Sequence, residues 1–551
     1  MSGRMVGYRW LTMLSCASML AVGVVPAVAD DEVRSPPPAV SVDDPLRPFQ
    51  WNLDRIRAPE AWGITQGDPD VTIAIIDTGV DPDHRDLAGA LWTHPVTGAH
   101  GFDHVRGVRS TFVDAEQDWH GTAIAGIAAA RADDGYGIAG VAPDASIMVH
   151  RIYASASATE PPTQTSYALA SAAIRDAAAA GADVILLTWG GTTPNAELAT
   201  AIEDSGVPVV AAAGNDGQDL SDRPSVRRYP AMYRLPNLVT VAATDRDSQI
   251  LDNGFVASNY GVRHVDIAAP GDGLLSITAG AEHGIYDGTS FAAPQVAGAL
   301  ALGRSLAPGV STNELVAMLI STSRRHVSLR DQVTSGGVLD IVSFLRVVER
   351  PVCRATIPPS SLPDLDRSSP HFNNISCVVW YGVSQGTGDG FAANRTITRG
   401  ETATLLVRLL DASGHELPEQ PTTAFDDIAG TTHETSIRLL ADLGLVAGVG
   451  DGAFAPHRPV TRAQMATLVV GVLQAMTEVE LASDRDWFDD VDGNVHATSI
   501  AQAREAGITL GGAEPREFSP NLDITRAQMA SFLARTMDAT GRQGVTIERL
   551  P

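Results

Sequence analysis

Four polar side chains stand at the ends of apolar stretches in this chain. Asp77 closes the run VTIAIID, Val71 to Asp77. His120 enters DWHGTAIAGIAAA, Asp118 to Ala130, a run of small residues. Ser290 lies in GTSFAAPQVAG, Gly288 to Gly298, between a Gly-Thr turn and a small apolar run that reads as a helix. A serine hydroxyl becomes a nucleophile when a base takes its proton, and an imidazole is that base when a carboxylate fixes its tautomer. Asn215 in VVAAAGNDG carries an amide able to donate to an oxyanion. Each residue has a simpler use, since Ser caps helices and Asn sits in turns. Asp77 in a DTG triplet also suits an aspartic protease, but the candidate second half, Asp204-Ser205-Gly206, has no apolar strand before it.

The order Asp, His, Ser is that of the subtilisins. GIAGVAP (Gly137 to Pro143), SNYG (Ser258 to Gly261) and AAPG (Ala268 to Gly271) follow the same scheme. On these motifs the chain resembles the subtilases, the subtilisin-like serine proteases. The resemblance implies that Asp77, His120 and Ser290 form a triad and that Asn215 serves an oxyanion hole. It implies that Thr188, Trp189, Gly190, Ala213 and Gly214 line the substrate path, with large apolar side chains preferred before the scissile bond. Asp216 is the one nearby charge that could favour a basic residue instead. RADDGYGIAGVAP resembles the family's calcium loop, so Asp44, Asp86 and Asp134 are expected ligands of a structural calcium; no organic cofactor is implied. Departures are Ala123 for a second His after His-Gly-Thr, Gln295 for a His, and Trp189 for a Leu, where the indole could narrow the pocket. His84 and His94 lack the His-Gly-Thr setting and read as surface-loop residues.

These residues need elements to hold them. VTIAIID, ASIMVHRIY, ADVILLTW, VPVVAAAG and LVTVAAT are too uniformly apolar for half-exposed strands. Ala-rich helical runs, Ser166 to Ala180 and Asn195 to Ser205 among them, alternate with them. Such alternation implies a parallel sheet covered on both faces, with ligands at the carboxyl ends of the strands. The expected fold is an α/β subtilisin-like parallel sheet flanked by helices over residues 44–350.

Charge and address narrow the function. Lys and Arg together number 39 against 65 acids, a net charge of −26, and every basic residue is Arg. That acidity argues against nucleic acid or an anionic membrane surface as partner. Residues 1–29 read as a secretory signal: Arg4 and Arg9, an apolar run, then Ala27-Val28-Ala29. No later stretch is apolar enough to span a bilayer. Residues 30–43 read as disordered and leave little room for an inhibitory propeptide. Cys353 and Cys377 remain after signal removal, and in a secreted protein one disulfide between them is plausible.

Beyond a Pro- and Ser-rich linker (351–361) the chain repeats itself. His371, His433 and His496 recur at spacings of 62 and 63. Each is followed by Ile at +4 (Ile375, Ile437, Ile500) and Gly at +11 (Gly382, Gly444, Gly507). Phe391, Phe454 and Phe518 each precede a Thr-Arg pair by seven residues. The pattern reads as helix, glycine turn, loop, and a second helix capped by Thr. It resembles three S-layer homology (SLH) modules, 362–421, 422–484 and 485–542, in an all-α repeat domain. The resemblance implies that Arg399, Arg462 and Arg526 meet an anionic cell-wall polysaccharide. The combined reading is a secreted serine endopeptidase, held at the cell envelope, acting on protein or peptide substrates. A wall-binding scaffold with a restricted or dead protease domain is one alternative, and a narrow processing protease another.

Overall fold

The computed structural model describes residues 37–550 except 110–118, 154–163, 222–225, 281, 351, 354–356, 368, 389, 484–486 and 512–516. The stretch 1–29, expected to be a signal, lies outside the described residues, as do residues 30–36. Residues 37–43, expected to be disordered, are described, with Val40 N donating to Pro59 O at 2.8 Å and Val40 and Val42 packed against the main core. The strands are β1 (Thr72–Asp77), β2 (Gly101–Asp103), β3 (Val108–Arg109), β4 (Ser146–Arg151), β5 (Val184–Leu187), β6 (Val209–Ala212), β7 (Leu238–Thr244), β8 (Ile267–Pro270), β9 (Leu274–Thr278), β10 (Glu282–Tyr286), β11 (Arg324–Arg325) and β12 (Gly337–Val338). One sheet runs β11-β12-β8-β7-β6-β5-β1-β4-β2-β3. Every pairing from β12 to β2 is parallel, and the short edge strands β11 and β3 are antiparallel. β9 and β10 form a separate hairpin.

Both sheet faces are buried, which is why the strands are uniformly apolar. Ile73 and Ile75 of β1 join Val184 and Leu186 of β5 in one core layer, while Ala74 and Ile76 join Ile185 and Leu187 in the other. Before β1 come α1 (Trp51–Arg55) and α2 (Ala58–Trp62). The first layer is covered by α3 (His120–Ala129) and by a long helix, Thr289–Leu306. The second is covered by α4 (Gln164–Ala179) and α5 (Ala196–Asp204). Asn195 caps α5 by accepting from Leu198 N at 2.8 Å. In chain order the long helix is α6, and α7 (Thr312–Ser321) and α8 (Ile341–Val348) pack behind it. Small residues let α6 and α3 close up, since a Cβ on Gly298 would lie 2.7 Å from the Val141 side chain and 3.1 Å from Ala128 O.

The three repeats each contain a short and a long helix: α9 (Phe372–Trp380) with α10 (Arg399–Ala412), α11 (Glu434–Asp442) with α12 (Arg462–Thr477), and α13 (Ala497–Glu505) with α14 (Arg526–Arg542). Each short helix begins after its repeat histidine, and Gly382, Gly444 and Gly507 follow with φ of 75°, 72° and 70°. Thr398, Thr461 and Thr525 cap the long helices in full capping boxes with Glu401, Gln464 and Gln528. These repeats have their own core.

The repeats close on one another. Val460 N donates to Ile397 O, Ile524 N to Val460 O, and Ile397 N to Ile524 O. The histidines follow the same cycle: His433 meets Thr404, His496 meets Thr467, and His371 returns to Ser531, each at 2.8 Å. Cys353 and Cys377 form a disulfide between the segment after α8 and α9.

Ion pairs join the repeats to the catalytic part. Glu314 on α7 pairs with Arg535 on α14. Asp538, also on α14, accepts from Arg350 Nε at 2.9 Å and from Val352 N and Cys353 N at 3.1 and 2.8 Å. Asp538 is 2 % exposed, so its removal takes the bonded carboxylate from Arg350, leaving it Glu314 and Asn374, and strands two backbone donors. Asp538→Ala is expected to cost about 3–5 kcal/mol of stability, the scale for halving a buried pair, read by denaturant unfolding of the full chain.

Candidate functional site

The sheet delivers Asp77 at the carboxyl end of β1. Its side chain is 2 % exposed, and Oδ1 lies 2.9 Å from His120 Nδ1. Thr78 N donates to Oδ1 at 2.7 Å, and the Thr188 hydroxyl donates to Oδ2. Burial, the largest effect, would raise this carboxyl, but the facing imidazole and the Thr188 and Thr78 donors hold it below the usual carboxylate range. His120 is the first residue of α3. Gly121 N donates to Thr78 Oγ1 at 3.0 Å, which seats the helix on the residue after Asp77.

Ser290 is the second residue of α6, where the first backbone N–H groups have no partner inside the helix. Its hydroxyl donates to Thr188 O at 3.1 Å. Asn215 follows β6, and its Oδ1 accepts from Thr289 N at 2.9 Å and Thr289 Oγ1 at 3.0 Å. The acceptor end is thus occupied, which leaves the amide N–H groups as the free face of this exposed residue. The arrangement provides a hydroxyl, a base with an ionised carboxylate behind it, and two kinds of N–H donor, the requirements of acyl transfer.

The residues expected along the substrate path adjoin this group: Thr188 O accepts from Ser290, and Gly214 N donates to Thr289 Oγ1 at 3.1 Å. Thr188 and Ala213 are buried, Gly190 is exposed, and Gly191 pairs antiparallel with Tyr229. Trp189 does not stand free to narrow a pocket: its Nε1 donates to Ile76 O at 2.9 Å, and the ring packs with Tyr167 in the second core layer. Asp216 is no lone charge either. Arg228 holds it through Nε at 2.7 Å and Nη2 at 2.5 Å. That pairing first, against the effect of burial, lowers the Asp216 carboxyl. Gln295 is buried and satisfied by Pro270 O, Phe291 O and Asn52.

Sequence reasoning missed Thr289, the clamp on Asn215, although it lies in the same GTS triplet as Ser290. It also missed an aromatic stack beside His120. Trp119 stacks on Tyr286 at 4.8 Å, and Tyr286 on Phe291 at 4.9 Å. Trp119 comes from one segment and Tyr286 and Phe291 from another more than 150 residues on, with no shared spacing. His84, expected at the surface, is 1 % exposed, and its Nδ1 accepts from Asp86 N.

The subtilase family model matches residues 68–342. Thermitase of Thermoactinomyces vulgaris is 39% identical over 256 residues, 46% of this chain and 81% of that protein. The chain belongs to the subtilase family. It is a subtilisin-like serine endopeptidase. The major intracellular serine protease of Bacillus subtilis (strain 168) is 32% identical over 45% of this chain and 73% of its own. A solved protease structure from Pseudoalteromonas arctica covers 56% of this chain and 99% of its own at 26% identity and a TM-score of 0.46. The S-layer homology model matches 361–403, 424–466 and 488–530, so this subtilase carries three SLH repeats.

Two carboxylates of the expected calcium site are buried beside the 133–138 loop. Asp44 Oδ2 accepts from Asp133 N at 2.9 Å, and Asp86 Oδ2 from Ile138 N at 3.3 Å. Their Oδ1 atoms are buried without a hydrogen-bond partner. Burial pushes both carboxyls up, and Asp134 adds to the effect on Asp44. His283 Nε2 also lies 3.2 Å from Asp86 Oδ2. Orphaned carboxylate oxygens around a carbonyl-bearing loop fit a hard divalent cation.

The three repeat arginines each reach into the next repeat. Arg399 Nε and Nη2 donate to Phe454 O and Ala447 O, both at 2.9 Å, and Arg462 donates to Phe518 O and Gly511 O, both at 2.7 Å. Arg526 Nε donates to Phe391 O at 2.8 Å, and Nη1 lies 3.7 Å from Glu401. Each guanidinium also covers the ring of the same Phe. They are therefore built into the junctions between repeats, a role not contained in the expectation that they meet a wall polysaccharide.

Ser290→Ala and His120→Ala are each expected to abolish peptide hydrolysis, and the double variant to be no worse than either, because the group acts as a unit. Asn215→Leu should lower kcat by roughly 10²–10³, the scale found when such a donor is removed from subtilisin. Steady-state assays on folded variants check both.

Proposed function

We propose that this subtilase is a secreted endopeptidase working through Asp77, His120 and Ser290 and held at the cell envelope by its SLH repeats. The observation that carries the catalytic part is the 2.9 Å contact between His120 Nδ1 and the buried Asp77 carboxylate. Asp77 stays ionised and fixes the imidazole so that the other ring nitrogen faces outward. The Ser290 hydroxyl leaves Thr188 O, gives its proton to that nitrogen, and attacks the substrate carbonyl. The oxygen that becomes negative is met by Asn215 Nδ2 and Ser290 N, while Thr289 keeps the amide from turning. The imidazolium then protonates the leaving amine, and water repeats the sequence on the acyl-enzyme. Substrate backbone lies along Thr188 to Gly190 and Ala213 to Gly214. With Asp216 neutralised by Arg228, the reading favours large apolar side chains before the scissile bond.

Asp44, Asp86 and Asp134 hold a structural calcium in this reading. The ion would neutralise the two orphaned carboxylate oxygens and clamp the 133–138 loop to the amino-terminal segment. Chelation is then expected to lower the melting temperature, and Asp86→Asn to remove the response. Calcium at 1,000 times its Kd would contribute about 4 kcal/mol. An unaltered melting curve with chelator would rule the ion out.

The SLH repeats support attachment to a wall polysaccharide, with the junctions containing Arg399, Arg462 and Arg526 as the contact regions. The surrounding chain is acidic, so binding must come from local cations and not from bulk charge. Full-length Ser290→Ala protein should sediment with isolated cell walls and stay in solution once hydrofluoric acid has stripped the polymer. Equal binding to stripped walls would leave a protease without this anchor. Among the described residues no helix is long and apolar enough to cross a membrane.

A further inference from the structure

One cluster of nitrogen and oxygen donors takes no part in the chemistry above. His104 follows β2, His150 lies on β4 and Asp176 lies on α4. One ligand atom from each falls within 4.8 Å of the other two. The placement comes from the sheet. β2 and β4 are parallel neighbours with Phe102 opposite His150, and α4 packs against β4. His104 Nε2 and His150 Nδ1 are 2.9 Å apart.

That single contact is the only hydrogen bond of the His150 ring among the described residues. His150 is 2 % exposed, and its Nε2 is buried with no hydrogen-bond partner. His150 Nε2 stays unpartnered whether Nδ1 meets His104 or an ion; what draws an ion here is the convergence of His104 Nε2, His150 Nδ1 and an Asp176 carboxylate oxygen. Burial is the main force pushing both imidazoles down, His150 to about 3, and Arg109 adds to it there. Asp176 and Asp103 oppose it at His104. Both rings are therefore neutral at physiological pH, the state in which imidazole ligates a metal.

We propose that His104, His150 and Asp176 form a binding site for a divalent transition metal ion, zinc being the best match, separate from the catalytic centre. Two imidazoles and one carboxylate suit zinc and its late first-row neighbours, whereas calcium takes oxygen ligands almost throughout. Tetrahedral zinc holds two nitrogen ligands about 3.4 Å apart, so the rings need to open by only about half an ångström. Three protein ligands leave a fourth position for water. The ion ties β2, β4 and α4 together one strand from the catalytic carboxylate, since His150 lies opposite Ile76 and Arg151 opposite Asp77. Its role is to brace the rim of the sheet that carries Asp77.

The test uses full-length Ser290→Ala protein, stripped of metal and then kept in excess calcium so that oxygen-ligand sites are filled. Cobalt(II) is titrated in and its d–d absorption recorded, and zinc binding is followed by calorimetry and melting. One equivalent of cobalt with a four-coordinate band, and a rise in melting temperature with zinc, are expected. His104→Gln and Asp176→Asn, at half-buried positions that tolerate polar replacements, should each weaken binding by more than the roughly 10–100-fold typical of losing an outer-shell partner. Circular dichroism checks that both fold. Absence of the cobalt band, no stabilisation by zinc, or binding unchanged in both variants would overturn the proposal, the last by assigning the metal to other histidines.

Discussion

A Cβ on Gly121 would sit 2.0 Å from Gly79 O. Helix α3 can therefore press its amino end onto the turn after β1 only because that position has no side chain. His120 is the neighbouring residue, so the same contact sets the imidazole against Asp77. A similar absence lets α6 pass close to α3, which brings the Ser290 end of α6 to the same edge of the sheet. Catalytic geometry here is a by-product of close packing between small residues. The polar bonds among Asp77, Thr78, Thr188 and His120 then fix what the packing has brought near. An alanine at 121 would move the base without altering any catalytic residue.

The second level of organisation is electrostatic. One set of buried charges at the join between catalytic part and repeats is matched, whereas Arg504, also buried there, has an Nη2 with no hydrogen-bond partner and is pushed down to about 9 by burial. Arg350 faces both Asp538 and Glu314, and Glu314 faces Arg535. Desolvation of Glu314 would raise its carboxyl, but Arg535 and Arg350 hold it below the usual range. The apolar contacts of this join are modest beside the two separate cores, so matched charge carries much of its specificity.

Much of this was legible beforehand because the signals were local. Five apolar runs became β1, β4, β5, β6 and β7, since a strand buried on both faces is apolar at most of its positions. The repeat reading held because glycine and threonine each mark a helix boundary by a backbone mechanism, and the histidine stands at the start of each short helix. What sequence could not reach were pairings between distant segments. Arg228 and Asp216 meet only after the chain between β6 and β7 folds back. The indole of Trp189 is turned by a carbonyl on another strand. The inward course of Arg399, Arg462 and Arg526 depends on the following repeat, so a motif within one repeat could not disclose it.

A linear array of helical repeats can grow or shrink by one unit and needs special end units to shield its terminal faces. The three repeats here bond head to tail and return to their start, so they have no ends. Rotation between neighbours, and not selection for length, then fixes their number at three. Losing any one repeat would leave two unmatched faces and a gap that the remaining pair could not span. A fourth could not enter without breaking the seam between Ile397 and Ile524. Diversification of this part of the molecule is confined to side chains and loops on a frame that counts its own members.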